Sequence, residues 1–179
     1  SSIGALANFE LDLANGATLD GVTFTADEDR TILVNETLNL LGNITFDDGA
    51  NTLTISGSGV VAGEATIKAS SASGTNNVVF DGGVTKVDSI TFDASVDNVD
   101  LQTSVTLEDV EFNGTVDLDG AKVVTAAGVI KGGTWSSSNT DSALVVLGDA
   151  VLTGSSIGAL ANFELDLANG ATLDGVTFT

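Results

Sequence analysis

The side chains able to do chemistry in this chain are almost all carboxylates. Of 179 residues, 25 are Asp or Glu and 5 are Lys or Arg; His, Cys and Tyr are absent, and Arg30 is the single Arg. Nucleophile–imidazole pairs are thereby excluded, as are metal sites built on His or thiolate. What remains is carboxylate chemistry. It could take the form of an acid pair for glycoside hydrolysis, of carboxylates acting with Lys and Arg on a polysaccharide, or of oxygen ligands for calcium. Acid pairs are plentiful, at Asp27/Glu28/Asp29, Asp47/Asp48 and Asp117/Asp119. They follow turns and exposed strand positions, where solvated carboxylates are expected, so the chain is read as non-catalytic. Calcium loops of the Asp-x-Asp-x-Asp-Gly type and Gly-Gly-x-Gly-x-Asp nonapeptides do not occur. Asp93, Asp97 and Asp100 come nearest to a loop-ligand spacing and match neither pattern. Calcium is thus the one candidate cofactor, and the reading assigns none.

The net charge of −20 disfavours nucleic acid and anionic membranes as partners, because both are bound through clusters of Lys and Arg. No apolar run reaches the length of a membrane-spanning helix. With 42% hydrophobic residues the chain has enough apolar surface to fold despite its charge. It has no Pro, so turns fall to Gly, Asn, Asp and Ser. Asn-x-Thr triplets at Asn35, Asn43 and Asn113 are read as chance occurrences in a chain rich in both residue types, with Asn43, at the turn position of its hexad, read as a corner residue.

The elements that position these side chains are legible as repeats on two scales. Residues 1–25 and 155–179 are identical, offset by 154 positions. The chain therefore reads as one complete repeat over 1–154, followed by the first coil of the next over 155–179, within an array expected to continue on both sides. Inside the long repeat a hexad recurs: apolar, any, turn-former, apolar or small, Thr, large apolar. It appears at 19–24, 41–46, 62–67, 87–92, 107–112, 130–135 and, degenerate, at 152–157, and the cycle closes at 173–178. Its last residues are spaced by 20 to 25 positions, giving seven units of mean length 22 per long repeat. A second apolar stretch precedes each hexad, as at Leu53/Ile55 and Val116/Leu118, and Gly/Asn/Asp corners separate the two.

A strand-rich period near 22 is the signature of a solenoid. The fold expected is all-β, a parallel β-helix with seven coils per 154 residues. An immunoglobulin-like sandwich also offers short strands at regular spacing. It does not explain why a large apolar residue returns seven times at one interval.

Stacking the hexads in phase places Phe24, Phe46, Ile67, Phe92, Phe112, Trp135, Ile157 and Phe178 in one internal column. Each buried side chain would contribute about 1.5–3 kcal/mol. The same phase puts Lys68 between Asp47 and Asp93, Lys131 after Glu108, and Asp88 beside Glu108. It also puts Thr23, Thr45, Thr66, Thr91, Thr134, Ser156 and Thr177 in an outward rank interrupted by Glu111. Such a rank invites comparison with ice-binding faces, but the parallel rank beside it is charged and irregular. Thr is read there as an exposed strand former. With so few basic residues, salt or divalent cations are expected to relieve carboxylate repulsion.

The phrase from Phe9 to Phe24, FELDLANGATLDGVTF, resembles the β-strand repeats of large bacterial surface proteins: autotransporter passengers, filamentous-haemagglutinin-like adhesins and giant repeat proteins. The resemblance spans nearly the whole chain. It implies a right-handed parallel β-helix at the cell surface or outside the cell, serving adhesion, biofilm or fibre formation, and it carries over no functional residue. The identical long period departs from the irregular repeats of such passengers. It favours a stalk or filament built of further copies of the chain end to end, with a polysaccharide- or cell-binding adhesin shaft as the alternative.

Overall fold

The computed structural model describes residues 1–3, 10–25, 29–47, 51–71, 73–118 and 123–179, with no side-chain description for 138–140 and 159–162. The chain is an all-β solenoid of about 7 turns in which stacked residues lie about 21 positions apart. All pairings are parallel. Parallel neighbours require a crossover, and here the other faces of the coil supply it.

Each coil has three faces, met in the order A, B, C. Face A stacks Glu10–Leu13, 31–34, 54–57, Asn77–Phe80, Asn98–Leu101, 115–117, 134–137, 156–157 and Thr177–Phe178. Face B stacks Ala17–Asp20, 38–41, 58–62, 83–88, Val105–Glu108, Val123–Ala127, 143–146 and 164–167. Face C stacks Ser2–Ile3, Thr23–Phe24, 42–46, 65–69, 90–92, 111–112, 129–132, Val151–Thr153 and Thr172–Asp174.

Alternation within each short strand sends every second side chain inward. The inward ranks are continuous: Ile32–Ile55–Phe80–Leu101 on face A, Leu38–Val61–Val87–Leu107–Ala126–Val146 on face B and Ile44–Ile67–Phe92–Phe112 on face C. All of these residues are buried. The B-to-C corner is turned by a residue of positive φ in coil after coil: Gly21, Gly42, Ser89, Asp109 and Gly128 lie between +53° and +64°. A non-glycine residue there costs about 1–2 kcal/mol. Asp109 offsets this by accepting the Val129 N–H at 2.8 Å, which ties its corner to the next coil.

The corners are unequal, and this redistributes the expected column. The C-to-A corner is long from Ala69 to Asn77 and from Phe92 to Asn98, but short from Phe112 to Thr115. The A-to-B corner lengthens in the opposite sense, from Leu101–Val105 to 117–123. Lengths compensate within a coil while the hexads drift around the axis. Phe112 therefore stacks on Gly132, and Trp135 stacks on Val116, in the rank Arg30–Leu53–Val78–Val99–Val116–Trp135–Ile157–Phe178 of face A. Likewise Phe46 stacks on Ala69 and Ile67 on Ile44. The eight residues read from sequence as one column thus occupy three ranks on two adjacent faces: Phe24 and Phe46, then Ile67, Phe92 and Phe112, on face C, and Trp135, Ile157 and Phe178 on face A. Seven of them are buried, and Phe178 is 60% exposed. Within the face C rank Phe92 and Phe112 are stacked at 5.1 Å, and Phe112 meets Trp135 of face A edge-on at 5.5 Å. The indole N–H donates to Gly132 O at 3.2 Å.

Candidate functional site

Outward-facing side chains, ranked by the same register, are where function can reside. Asp93 lies at the C-to-A corner, where its Oδ1 accepts the Ser95 N–H at 3.0 Å and the Ser95 hydroxyl at 2.8 Å. Those two bonds, the backbone one first, hold its carboxyl below the ordinary Asp value, with attraction from Lys68 adding to them. Asp97 accepts the N–H of fully buried Asn76 at 2.8 Å. Asp100 stands on face A, opposite Asp117 and Val79, and accepts from Gln102 at 2.7 Å. The three calcium candidates are thus engaged in separate corner and strand contacts. Among the described residues no group of three His, Cys, Asp or Glu side chains is arranged to hold a metal ion.

The densest charge cluster is on face B. Lys86 bridges Asp88 of its own strand, at 2.9 Å, and Glu108 of the next coil. Asp88 and Glu108 are direct cross-strand partners, so the ammonium neutralises a like-charge pair. The Lys86 pKa is raised by its hydrogen bonds, to Glu108 foremost and then to Asp88. Burial opposes ionisation of Asp88, but its bonds to Lys86 and Ser89 overcome this and lower its pKa. Other expected neighbours differ from the in-phase arrangement. Lys68 stacks on Thr45, and Asp47 accepts from the Ser70 hydroxyl at 2.9 Å. Lys131 opposes Glu111, whereas Glu108 opposes Ala127. Each difference follows from the drift of hexads around the coil.

The same drift breaks the expected Thr rank into three runs: Thr23 and Thr45, then Thr66 and Thr91 with Glu111, then Thr134, Ser156 and Thr177. Thr23 and Thr45 lead to Lys68, while Thr66 and Thr91 lead to Glu111 and Lys131. The third run belongs to a longer uncharged polar stripe on face A: Thr52, Asn77, Asn98, Thr115, Thr134, Ser156 and Thr177. Asn98 Nδ2 donates to Asn77 Oδ1 at 2.9 Å, so the amides form a short ladder. Beside the stripe a shallow groove of about 300 Å³ is lined by Thr52, Asn77, Val79, Asn98, Asp100 and Asp117. Of this stripe, Thr134, Ser156 and Thr177 are hexad residues already read as an outward rank, whereas Thr52, Asn77, Asn98 and Thr115 were not read from sequence. Their signal was the polar residue just before the second apolar stretch, and the stronger hexad pattern masked it.

Two sequon asparagines have structural partners. Asn35 Nδ2 donates to Asp12 at 2.6 Å and to Leu13 O at 3.1 Å, and Asn113 Nδ2 donates to Phe92 O at 2.8 Å. Arg30 is 2% exposed and occupies the inward rank of face A, a placement its charge gave no reason to expect. Asp27, Glu28, Asp48, Asp119 and Phe9 lie outside the described residues. Among the described residues no helix is long and apolar enough to cross a membrane.

Fold and surface together define a parallel β-solenoid with an acidic, mostly strand-borne exterior. No family model, curated protein or solved structure matches the chain.

Proposed function

We propose that this solenoid is a structural shaft, a segment of a fibre, stalk or filament in which coils continue coaxially from one 154-residue repeat into the next. One observation carries the proposal. The duplicated segment is met from both sides: Glu10–Leu13 pairs with residues 31–34 above it, whereas its copy at 164–167 pairs with residues 143–146 below it. One coil sequence therefore accepts both neighbours that a continuous stack requires. The reading assigns no catalysis and no cofactor. It places the shaft outside the cell or on its surface, in line with the resemblance to bacterial strand-repeat proteins. The test is to extend the chain by a further copy of residues 26–179 and image both forms. The longer form should be a rod of unchanged width, longer by about 34 Å for seven coils at ~4.8 Å each. Two beads joined by a tether would count against the shaft.

A second reading, a shaft that binds polysaccharide along its flank, is favoured by the groove on face A, where hydroxyl and amide groups line a shallow trough. Carbohydrate binding usually draws on aromatic platforms, and the ring residues Phe24, Phe46, Phe80, Phe92, Phe112 and Trp135 are buried. Titration with neutral and acidic polysaccharides, compared between the parent and Asn77→Ala/Asn98→Ala, discriminates: saturable binding lost in the variant supports this reading.

A further inference from the structure

The two copies of the 25-residue segment lie on different faces. Ser2–Ile3 stands on face C and its copy 156–157 on face A. Glu10–Leu13 is on face A and 164–167 on face B. Ala17–Asp20 is on face B and Thr172–Asp174 on face C. Thr23–Phe24 is on face C and Thr177–Phe178 on face A. Every strand of the segment has advanced by one face. This is the whole-repeat consequence of a coil of about 21 residues rather than 22: 154 residues make seven turns and about a third of another.

We infer that the long repeat is a screw step, so that successive repeats of the shaft are set about a third of a turn apart and each surface feature is shown in three directions. The inference rests on the shaft reading for its extension beyond this chain. Two consequences give it functional weight. First, the cross-section is lopsided, with its long corner between faces C and A in some coils and between A and B in others. Repeats related by translation alone would bring equivalent long corners to the same edge of the shaft, whereas rotation by a third of a turn distributes them around it. Second, the uncharged stripe is handed from repeat to repeat. It ends in this chain at Thr177, the copy of Thr23, and Thr23 stacks on Thr45 before Lys68 closes the rank. Thr45 and Thr52 belong to one coil, on consecutive faces, and Thr52 begins the next stripe. The uncharged runs of successive repeats therefore lie on successive faces of an otherwise acidic shaft, with Asp47 at the corner between one run and the next.

The chain has no Cys, so engineered pairs report register directly. Disulfides need Cα atoms within about 7 Å. Thr115→Cys with Thr134→Cys, directly stacked here, should oxidise to near completion. Glu111→Cys with Thr134→Cys, the pair aligned by in-phase hexads, should stay reduced. The opposite result overturns the screw. For the array, three fused repeats, each bearing one Thr85→Cys labelled with gold, should show a rod with labels on three sides. A rod with all labels in one file overturns the screw and leaves the shaft intact. Beads in place of a rod overturn the shaft reading, and the screw array with it.

Discussion

Lys86 holds two stacked carboxylates together, and at the scale of single residues its removal is informative. Lys86→Met keeps the aliphatic stem but leaves Asp88 facing Glu108. All three side chains are about a third exposed, so solvent screening limits the loss to about 0.5–1 kcal/mol in denaturant unfolding. Adding Glu108→Gln should recover most of it. Because folding raises the Lys86 pKa, its contribution is complete below the ordinary Lys value and is lost as pH rises through the raised one. Asp93 behaves in the opposite sense. Its pKa is lowered, by the Ser95 backbone N–H before the Ser95 hydroxyl, so its contribution is present above the ordinary Asp value and is lost as pH falls through the depressed one. Asp93→Asn should flatten that part of the acid limb of stability. An unchanged acid limb would show that the Ser95 bonds hold equally well to a neutral side chain. Gly128 is constrained twice over, since its φ is +59° and a Cβ would lie 2.4 Å from the Asp109 carboxylate. Gly128→Ala should cost about 2 kcal/mol or more, with the loss reduced in the Asp109→Gly background.

At the scale of elements, the inward ranks decide stability. Trp135 is fully buried between the ranks of two faces, and Trp135→Ala should cost about 3–5 kcal/mol through the cavity it leaves. Phe178 occupies the equivalent hexad position, yet Phe178→Ala should change stability by less than about 0.5 kcal/mol, because its ring is largely in water. Equal losses at both positions would contradict the stacking described. The contrast also marks what sequence could tell. Strand alternation, the parallel stack and the burial of Phe24, Phe46, Ile67, Phe92, Phe112 and Trp135 were legible, because each depends on a local pattern of apolar and turn residues. Which coil neighbour each residue meets was not, because register is the running sum of corner lengths. A corner of Gly, Ser and Asn, such as 70–76, carries no apolar mark to say how many residues it spends outside the stack. The Phe112–Thr115 corner is the decisive case. Its few residues carry the chain from face C to face A, so Trp135 leaves the Phe112 rank and joins that of Val116. The polar surface inherits the error, and the expected Thr rank is broken into runs for the same reason, the last of them continuing the stripe that begins at Thr52.

At the scale of the whole molecule, charge sets the terms. A chain of net charge −20 folded into parallel strands places carboxylates in register one coil apart, as at Asp88/Glu108 and Asp100/Asp117. Strand neighbours lie about 4.8 Å apart, well inside the screening length of about 10 Å at 0.1 M salt. Monovalent salt therefore weakens repulsion between faces and distant coils more than between adjacent partners. The unfolded chain spreads the same charges further apart, so the folded state gains more from screening. The melting temperature should rise as NaCl increases from 10 mM to 0.5 M, by about 2–4 °C for each kcal/mol of repulsion relieved in a domain of this size. Calcium chloride at matched ionic strength should raise it somewhat further, since a divalent ion sits more effectively between stacked carboxylates, but without the saturation at micromolar concentration that a built site would produce. Thermal unfolding followed by circular dichroism across both salt series checks this. A flat response to both salts would mean that the folded and unfolded chains repel themselves equally, and that a solenoid of this charge density needs no counterion atmosphere to stay wound. A saturable rise at micromolar calcium would instead locate a specific ion within the stack.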